Sequence, residues 1–274
     1  METSILQPTN QLDAACINTI RTLSMDAVQK ANSGHPGTPM AMAPVAYAIW
    51  QHFLRFDPEN PIWPNRDRFV LSAGHASMLL YSMLFLAGVR KVNEDYEITD
   101  EPACSLHEIE EFRQLHSRTP GHPEYRWTTG VETTTGPLGQ GIATSVGMAM
   151  ASKWQGATFG ADLFDFDVYA LAGDGCLMEG VSHESASLAG HLKLDNLIMF
   201  YDSNDIQLSS PTGDVPDEDT AKKYEAWGWE TMTIDGNDPD AIRAALDKAN
   251  AVLSSGIDEY LGDIGCRTEG YLGK

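Results

Sequence analysis

The sequence predicts an α/β fold of three layers, a mostly parallel sheet with helices on both faces. Two short continuous apolar runs, residues 168–172 and 197–201, have the character of strands buried on both sides. A helical pattern lies between them, so the three segments read as a βαβ unit. Strand and helix patterns alternate elsewhere, with no internal repeat and no long linker, which favours one α/β domain.

From the amino end, Leu12, Cys16, Ile20, Leu23 and Ala27 recur every three to four positions and predict a helix over residues 11–31. It stops at Asn32-Ser33-Gly34-His35-Pro36-Gly37. Pro39 and an apolar run to Phe53 predict a second helix, with Pro44 tolerated if it lies in the first turn. Arg68-Phe69-Val70-Leu71 reads as a short strand, and Ser72-Ala73-Gly74-His75-Ala76-Ser77 opens a strongly apolar helix. Residues 91–105 are acidic and aperiodic and read as an exposed excursion. A helix is expected over residues 106–115, followed by the rigid loop Thr119-Pro120-Gly121-His122-Pro123-Glu124. The segment Thr133-Thr134-Thr135-Gly136-Pro137-Leu138-Gly139-Gln140-Gly141 then precedes a helix of small residues over 142–154. After the βαβ unit come a helix opened by Asp217-Glu218-Asp219 and ended by Trp227-Gly228, a third strand over residues 229–234 and a last helix over 240–253. From Ser254 onward the chain is glycine-rich and aperiodic, and no regular structure is expected there.

Composition narrows the partners. With 39 acidic against 18 basic residues in 274, the net charge of -21 argues against nucleic acid and against an anionic membrane surface. No apolar run is long enough to span a bilayer, and the first residues lack the pattern of a secretory signal, so a cytoplasmic location is expected. The four cysteines form no C-x-x-C pair and read as reduced and mostly structural.

Two polar groups give the βαβ unit its chemistry. Asp174 follows the first strand and Asn204 the second, so both fall past the carboxyl ends of neighbouring parallel strands, where open α/β sheets bind ligands. A carboxylate, an amide oxygen and, as a third candidate, the Ile206 carbonyl suit Mg²⁺, whose shell phosphate oxygens and water normally complete. Gly175 would leave room for a diphosphate at the helix N-terminus. Gly173-Asp174-Gly175 also fits a plain strand-to-helix turn capped by Asp174. The glycines of residues 136–141 match neither a dinucleotide nor a Walker spacing, and a tight loop before a packed helix explains them almost as well. A single histidine is most often a surface or hydrogen-bonded core residue. Here glycine flanks histidine three times, at Gly34-His35, Gly74-His75 and Gly121-His122.

Gly173-Asp174-Gly175 with Asn204 30 residues beyond Asp174 resembles the thiamine diphosphate motif. The three histidine segments and Glu132-Thr133-Thr134-Thr135-Gly136-Pro137-Leu138-Gly139-Gln140-Gly141 resemble, in order, the matching segments of transketolases over residues 10 to 250. The resemblance implies a thiamine diphosphate-binding fold, with residues 1–250 as the diphosphate-binding domain and 251–274 as an atypical tail. It implies Mg²⁺ on Asp174, Asn204 and the Ile206 carbonyl, and cofactor contacts from His75, Gly136, Pro137, Leu138, Gly175, Glu179 and Asn204. His35, His75 and His122 would handle substrate hydroxyls and protons, and Glu184, with Glu179, would lie near the cofactor and a subunit interface.

The activity implied is transfer of a two-carbon ketol unit from a ketose phosphate to an aldose phosphate. Full members of that family continue with a pyrimidine-binding and a C-terminal domain, absent from this sequence. A split subunit that works with a separate chain, in a homo- or hetero-oligomer, is the first reading, with a truncated gene and an altered C-terminus left open. A catalytically incompetent cofactor-binding or assembly module, and a formaldehyde-using ketol transferase, are the alternatives.

Overall fold

The computed structural model describes residues 6–204, 206–207, 210–211 and 218–255. Helix α1 (Leu6–Ala31) leads through the His35 loop to α2 (Gly37–Ala48), which widens into a π-helical turn at Ile49–Phe53. Strand β1 (Arg68–Leu71), a 3₁₀ turn at Gly74–Ala76 and α3 (Ser77–Ala87) follow. Next come β2 (Arg90–Val92), β3 (Ile98–Pro102), α4 (Leu106–Glu110) and α5 (Gln140–Phe159). The central unit is β4 (Val168–Gly173), α6 (Asp174–Met178), α7 (Gly180–Leu192) and β5 (Leu197–Asp202), followed by β6 (Ile206–Gln207), β7 (Ser210–Pro211), α8 (Thr220–Ala226) and α9 (Pro239–Ser255).

Among the described residues the main sheet has the order β1-β4-β5, all parallel. Register runs from Val168↔Leu197 to Gly173↔Asp202, so the last residues of β4 and β5 lie side by side. Both strands are buried along nearly their whole length, as a parallel sheet covered on both faces requires. Helix α5 packs on α7, β4 and β1, while α2 packs on α1, α3 and α9 and reaches β5. The expected three-layer α/β class is the one observed.

Several segments depart from expectation for identifiable reasons. Pro44 lies inside α2, not in its first turn. The carbonyl its missing N–H would have served, that of Met40, instead accepts from Arg21 Nε at 2.9 Å. Within residues 91–105 lies an antiparallel hairpin, β2 against β3, held by Arg90–Asp100 at 2.7 Å and by Lys91–Glu101, charge pairs that leave no apolar alternation to detect. The helix expected over 106–115 ends at Glu110, and Arg113 and His116 beyond it are left-handed, at φ 63° and 67°. Residues 229–234 form no strand. Glu230 makes only an isolated bridge, while Trp229 N donates back to Tyr224 O and Trp229 Nε1 to Ala186 O, which docks the segment on α7.

Helix α9 reaches Ser255, past the expected boundary at residue 250, and the tail from residue 256 lies outside the described residues. Among the described residues no helix is long and apolar enough to cross a membrane, and Cys16, Cys104 and Cys176 are free thiols.

The amino ends of β1 and β4 carry a charge network. Arg55 binds Asp67 at 2.9 Å and Asp165 at 3.1 Å, with Asp167 at 3.8 Å. Burial, and then the charge of Asp67, push the Asp167 carboxyl up to about 7 despite Arg55. A carboxyl raised above its unfolded value of 3.8 takes up a proton on folding, so its contribution to stability is lost as pH rises from about 4 through 7. Asp167→Asn keeps the backbone N–H that donates to Asp67 Oδ1 at 2.9 Å. It is expected to raise stability at pH 8 by on the order of 1–3 kcal/mol, with a smaller gain at pH 5.5. Urea unfolding at both pH values measures this; an equal gain at the two would refute it.

Candidate active site

Four loops converge beyond the carboxyl ends of β1, β4 and β5, and main chain stacked on main chain holds them together. A Cβ added to Gly74 would lie 2.7 Å from Thr135 Oγ1 and 2.8 Å from Gly136 N, so the His75 turn and the Gly136 loop touch directly. Thr135 Oγ1 donates to Leu71 O at 2.8 Å, which fastens that loop to the end of β1. Thr135 N donates to Pro123 O, and Thr134 Oγ1 accepts from Tyr125 N at 2.9 Å, which brings in the His122 loop. The His122 ring lies 3.5 Å from where a Cβ on Gly136 would stand. Glu132, at the start of the segment, is clamped by Arg66 through two bonds of 2.8 and 2.7 Å.

The turn after β4 completes the edge. Asp174 is buried, and its Oδ1 accepts from the Tyr201 hydroxyl. Leu138 lies over Gly175, since a Cβ there would be 2.8 Å from Leu138 Cδ1, whereas a Cβ on Gly173 would meet nothing within 4 Å among the described residues. The helix expected after Gly-Asp-Gly is two helices, because Glu179 is extended, at φ -71° and ψ 138°. The last carbonyls of α6 are satisfied by side chains of α7: Ser182 Oγ donates to Cys176 O, and His183 Nε2 lies 2.8 Å from Leu177 O. The break brings Glu179 against Gly139, at 2.7 Å from Glu179 Cβ to an added Cβ, while Glu184 is exposed on α7. Asn204 stands two residues past β5 and donates from Nδ2 to Asp202 Oδ2 at 3.2 Å. β6, which carries Ile206, lies against α6.

The three histidines are neighbours. The His35 and His75 rings meet edge to face at 4.9 Å between centroids, and His122 is close enough to act on both electrostatically. Burial, and then the two neighbouring histidines, hold His75 down at about 4. His35 and His122 are also lowered, by burial first and by Arg113 second. Three neutral imidazoles at neutral pH can accept or return hydroxyl protons. Arg113, the threonine hydroxyls and Tyr201 were not singled out in the sequence. An arginine shortly before the His122 loop is the only signal for Arg113, whose neighbour His35 is far away in the chain.

Among the described residues no three His, Cys, Asp or Glu side chains gather as a metal site. A cation here would need amide, carbonyl and phosphate oxygens beside Asp174, the ligand set that suits Mg²⁺. The buried carboxylate, the open space over Gly173 and the glycine turn at the strand end fit that ion with a diphosphate.

A parallel α/β sheet whose strand ends carry such an edge is a cofactor-binding domain. The family described as transketolase, thiamine diphosphate binding domain, matches residues 12–255. The chain belongs to the transketolase family, as its thiamine diphosphate-binding domain. Transketolase 1 of Escherichia coli K12 is 54% identical over 239 residues, 86% of this chain and 34% of the relative. The crystal structure of Campylobacter jejuni transketolase superposes with a TM-score of 0.83 at 46% identity, over 94% of this chain and 38% of that one. Pichia stipitis transketolase in complex with sedoheptulose-7-phosphate gives 0.82 at 44% identity, over 93% and 36%. The chain thus spans about a third of the length of the curated relatives it matches.

Glycine substitutions test the packing of the edge. A Cβ added to Gly141 would lie 2.4 Å from Ser72 Cα, with backbone on both sides, so Gly141→Ala is expected to cost about 1–3 kcal/mol or more. Gly175→Ala meets only the tip of Leu138 and is expected to change stability by less than about 1 kcal/mol. Thermal melts of the two variants measure the contrast, and equal losses would refute it.

Proposed function

We propose that this chain is the thiamine diphosphate- and Mg²⁺-binding part of a transketolase, moving a two-carbon ketol unit from a ketose phosphate to an aldose phosphate. The observation that carries the reading is the meeting, at one sheet edge, of Asp174, Gly175 and Leu138 with the His35, His75 and His122 loops. The Pichia stipitis complex with a sugar phosphate supports the substrate class.

In this reading Asp174, Asn204 and the Ile206 carbonyl hold Mg²⁺, and Gly175 and Asn204 receive the diphosphate. Gly136, Pro137 and Leu138 line the cofactor from one side, with Glu179 and His75 beside it. Thiamine diphosphate, when bound, supplies the electron sink for breaking and making the carbon–carbon bond. The chain's own share is orientation and proton handling. His75, held neutral by burial, donates or accepts a hydrogen bond without carrying charge, and His35 and His122, more exposed, accept a substrate hydroxyl proton and return it. The pyrimidine-binding and C-terminal domains of the family act with it in a homo- or hetero-oligomer. The domain takes in residues 1–250 with the rest of α9. The net charge of -21 argues against nucleic-acid and anionic-membrane partners.

Mixing the chain with one carrying the other two domains, Mg²⁺ and thiamine diphosphate is expected to give ketol transfer between sugar phosphates. No transfer from a folded, correctly paired complex would overturn the reading. Asp174→Ala is expected to lose Mg²⁺-dependent cofactor binding by calorimetry, beyond the roughly 10–100-fold typical of residues that only support a ligand. Unchanged binding would refute the metal assignment. His35→Ala is expected to leave cofactor affinity within about 3-fold and to slow transfer by about 10²–10⁴ in the assembled enzyme. The reverse pattern would assign His35 to the cofactor instead.

A further inference from the structure

Arg113 stands where the two exposed histidine loops meet, and the chemistry above leaves it without a task. Its Nη1 donates to Ser33 Oγ at 2.7 Å, two residues before His35. Its guanidinium also lies flat on Gly121, the residue before His122, where an added Cβ would be 2.8 Å from Nε and 3.1 Å from Cζ. Arg113 N donates to Thr119 O at 3.0 Å, at the start of the His122 loop. Phe112, next in the chain and buried, lies 3.1 Å from a Cβ placed on Gly34, so the same two residues grip the first loop twice.

Two further features set Arg113 apart. Its φ of 63° is left-handed, a conformation that costs a non-glycine residue about 1–2 kcal/mol and lasts only where the surroundings impose it. In a chain of net charge -21, no carboxylate among the described residues forms an ion pair with it, and its buried Nε has no hydrogen-bond partner there. A cation without a counter-ion beside imidazoles is an electrostatic cost that a merely structural arginine would avoid.

We propose that Arg113 is a positioning residue, which ties the His35 loop to the His122 loop and keeps a fixed positive charge beside both rings. After burial, Arg113 is the main influence disfavouring protonation of each; His122 adds to it on His35, and Glu124 opposes it on His122. His75, whose ring touches His35, is lowered by burial, His35 and His122, and not by Arg113. The arrangement keeps both exposed imidazoles in the form that can take a hydroxyl proton. Its use to the enzyme rests on the substrate-side reading of His35 and His122, whereas the geometry does not.

The test is an NMR titration of the histidine rings in the whole chain, without cofactor or substrate. Failure of ketol transfer would therefore leave it standing, and its failure would leave the transketolase reading standing. Asparagine tolerates left-handed backbone, so Arg113→Asn removes the charge with little conformational penalty. In that variant the His35 and His122 midpoints are expected to rise by roughly 0.3–1 pH unit while that of His75 stays put, and Arg113→Lys is expected to bring them back toward wild type. Unmoved midpoints in Arg113→Asn, or a common shift of all 8 histidines, would overturn the proposal. Ser33→Ala keeps the charge and removes the tether. Faster amide exchange at residues 33–37 and 119–122 is expected there, and unchanged exchange would overturn the clamp.

Discussion

At the carboxyl end of β1 the main chain of Ser72 and that of Gly141 press together so closely that no side chain fits between them. The contact seats the amino end of α5 on the strand. The Ser72 hydroxyl accepts from Ile142 N at 3.2 Å and lies 3.4 Å from Cys176 Sγ, joining strand, helix and the turn after β4 at one atom. Once α5 is seated there, the segment before it has one route, across the strand ends, with Thr135 fastened to Leu71 and Leu138 laid over Gly175. Glycine is required at Gly74 and Gly141, where backbone atoms make the close approach.

Burial then decides the charge state of what the loops carry. The histidines sit in an edge that withdraws water from them, and desolvation favours the neutral ring over the charged one. Asp174 is more deeply buried than these rings, yet Tyr201 turns a hydroxyl toward it and gives its charge a partner inside the fold. An acidic protein that handles anions needs such local exceptions to its overall field. Arg113 is one, and a divalent ion on Asp174 would be another.

What could be read from the sequence depended on whether the stabilising interactions were local and apolar. β4 and β5 were legible because both faces are buried and their residues are apolar without interruption. The placement of Asp174 and Asn204 followed from the ends of those two strands. The β2–β3 hairpin was illegible because its pairing rests on Arg90 and Lys91 meeting Asp100 and Glu101, which looks in sequence like an acidic surface loop. Residues 229–234 misled in the opposite sense: their bulky apolar residues read as a strand, while Trp229 is spent on a hydrogen bond to α7. The break at Glu179 has no proline to announce it, since the carbonyls it strands are taken up by Ser182 and His183 from the next helix. Arg113 became visible only when distant loops were brought to the same place.

The Arg55 network lies at the amino ends of β1 and β4, and the histidine loops at the carboxyl ends of the same strands. The Arg55 ion pairs thus lie at one rim of the sheet and the histidine loops at the other, with an apolar interior between them. Sequence drift at Asp67, Asp165 or Asp167 can retune the robustness of the domain without passing through the chemistry. A lineage could adapt to a hotter or more alkaline setting at one rim while its reaction remained as it was.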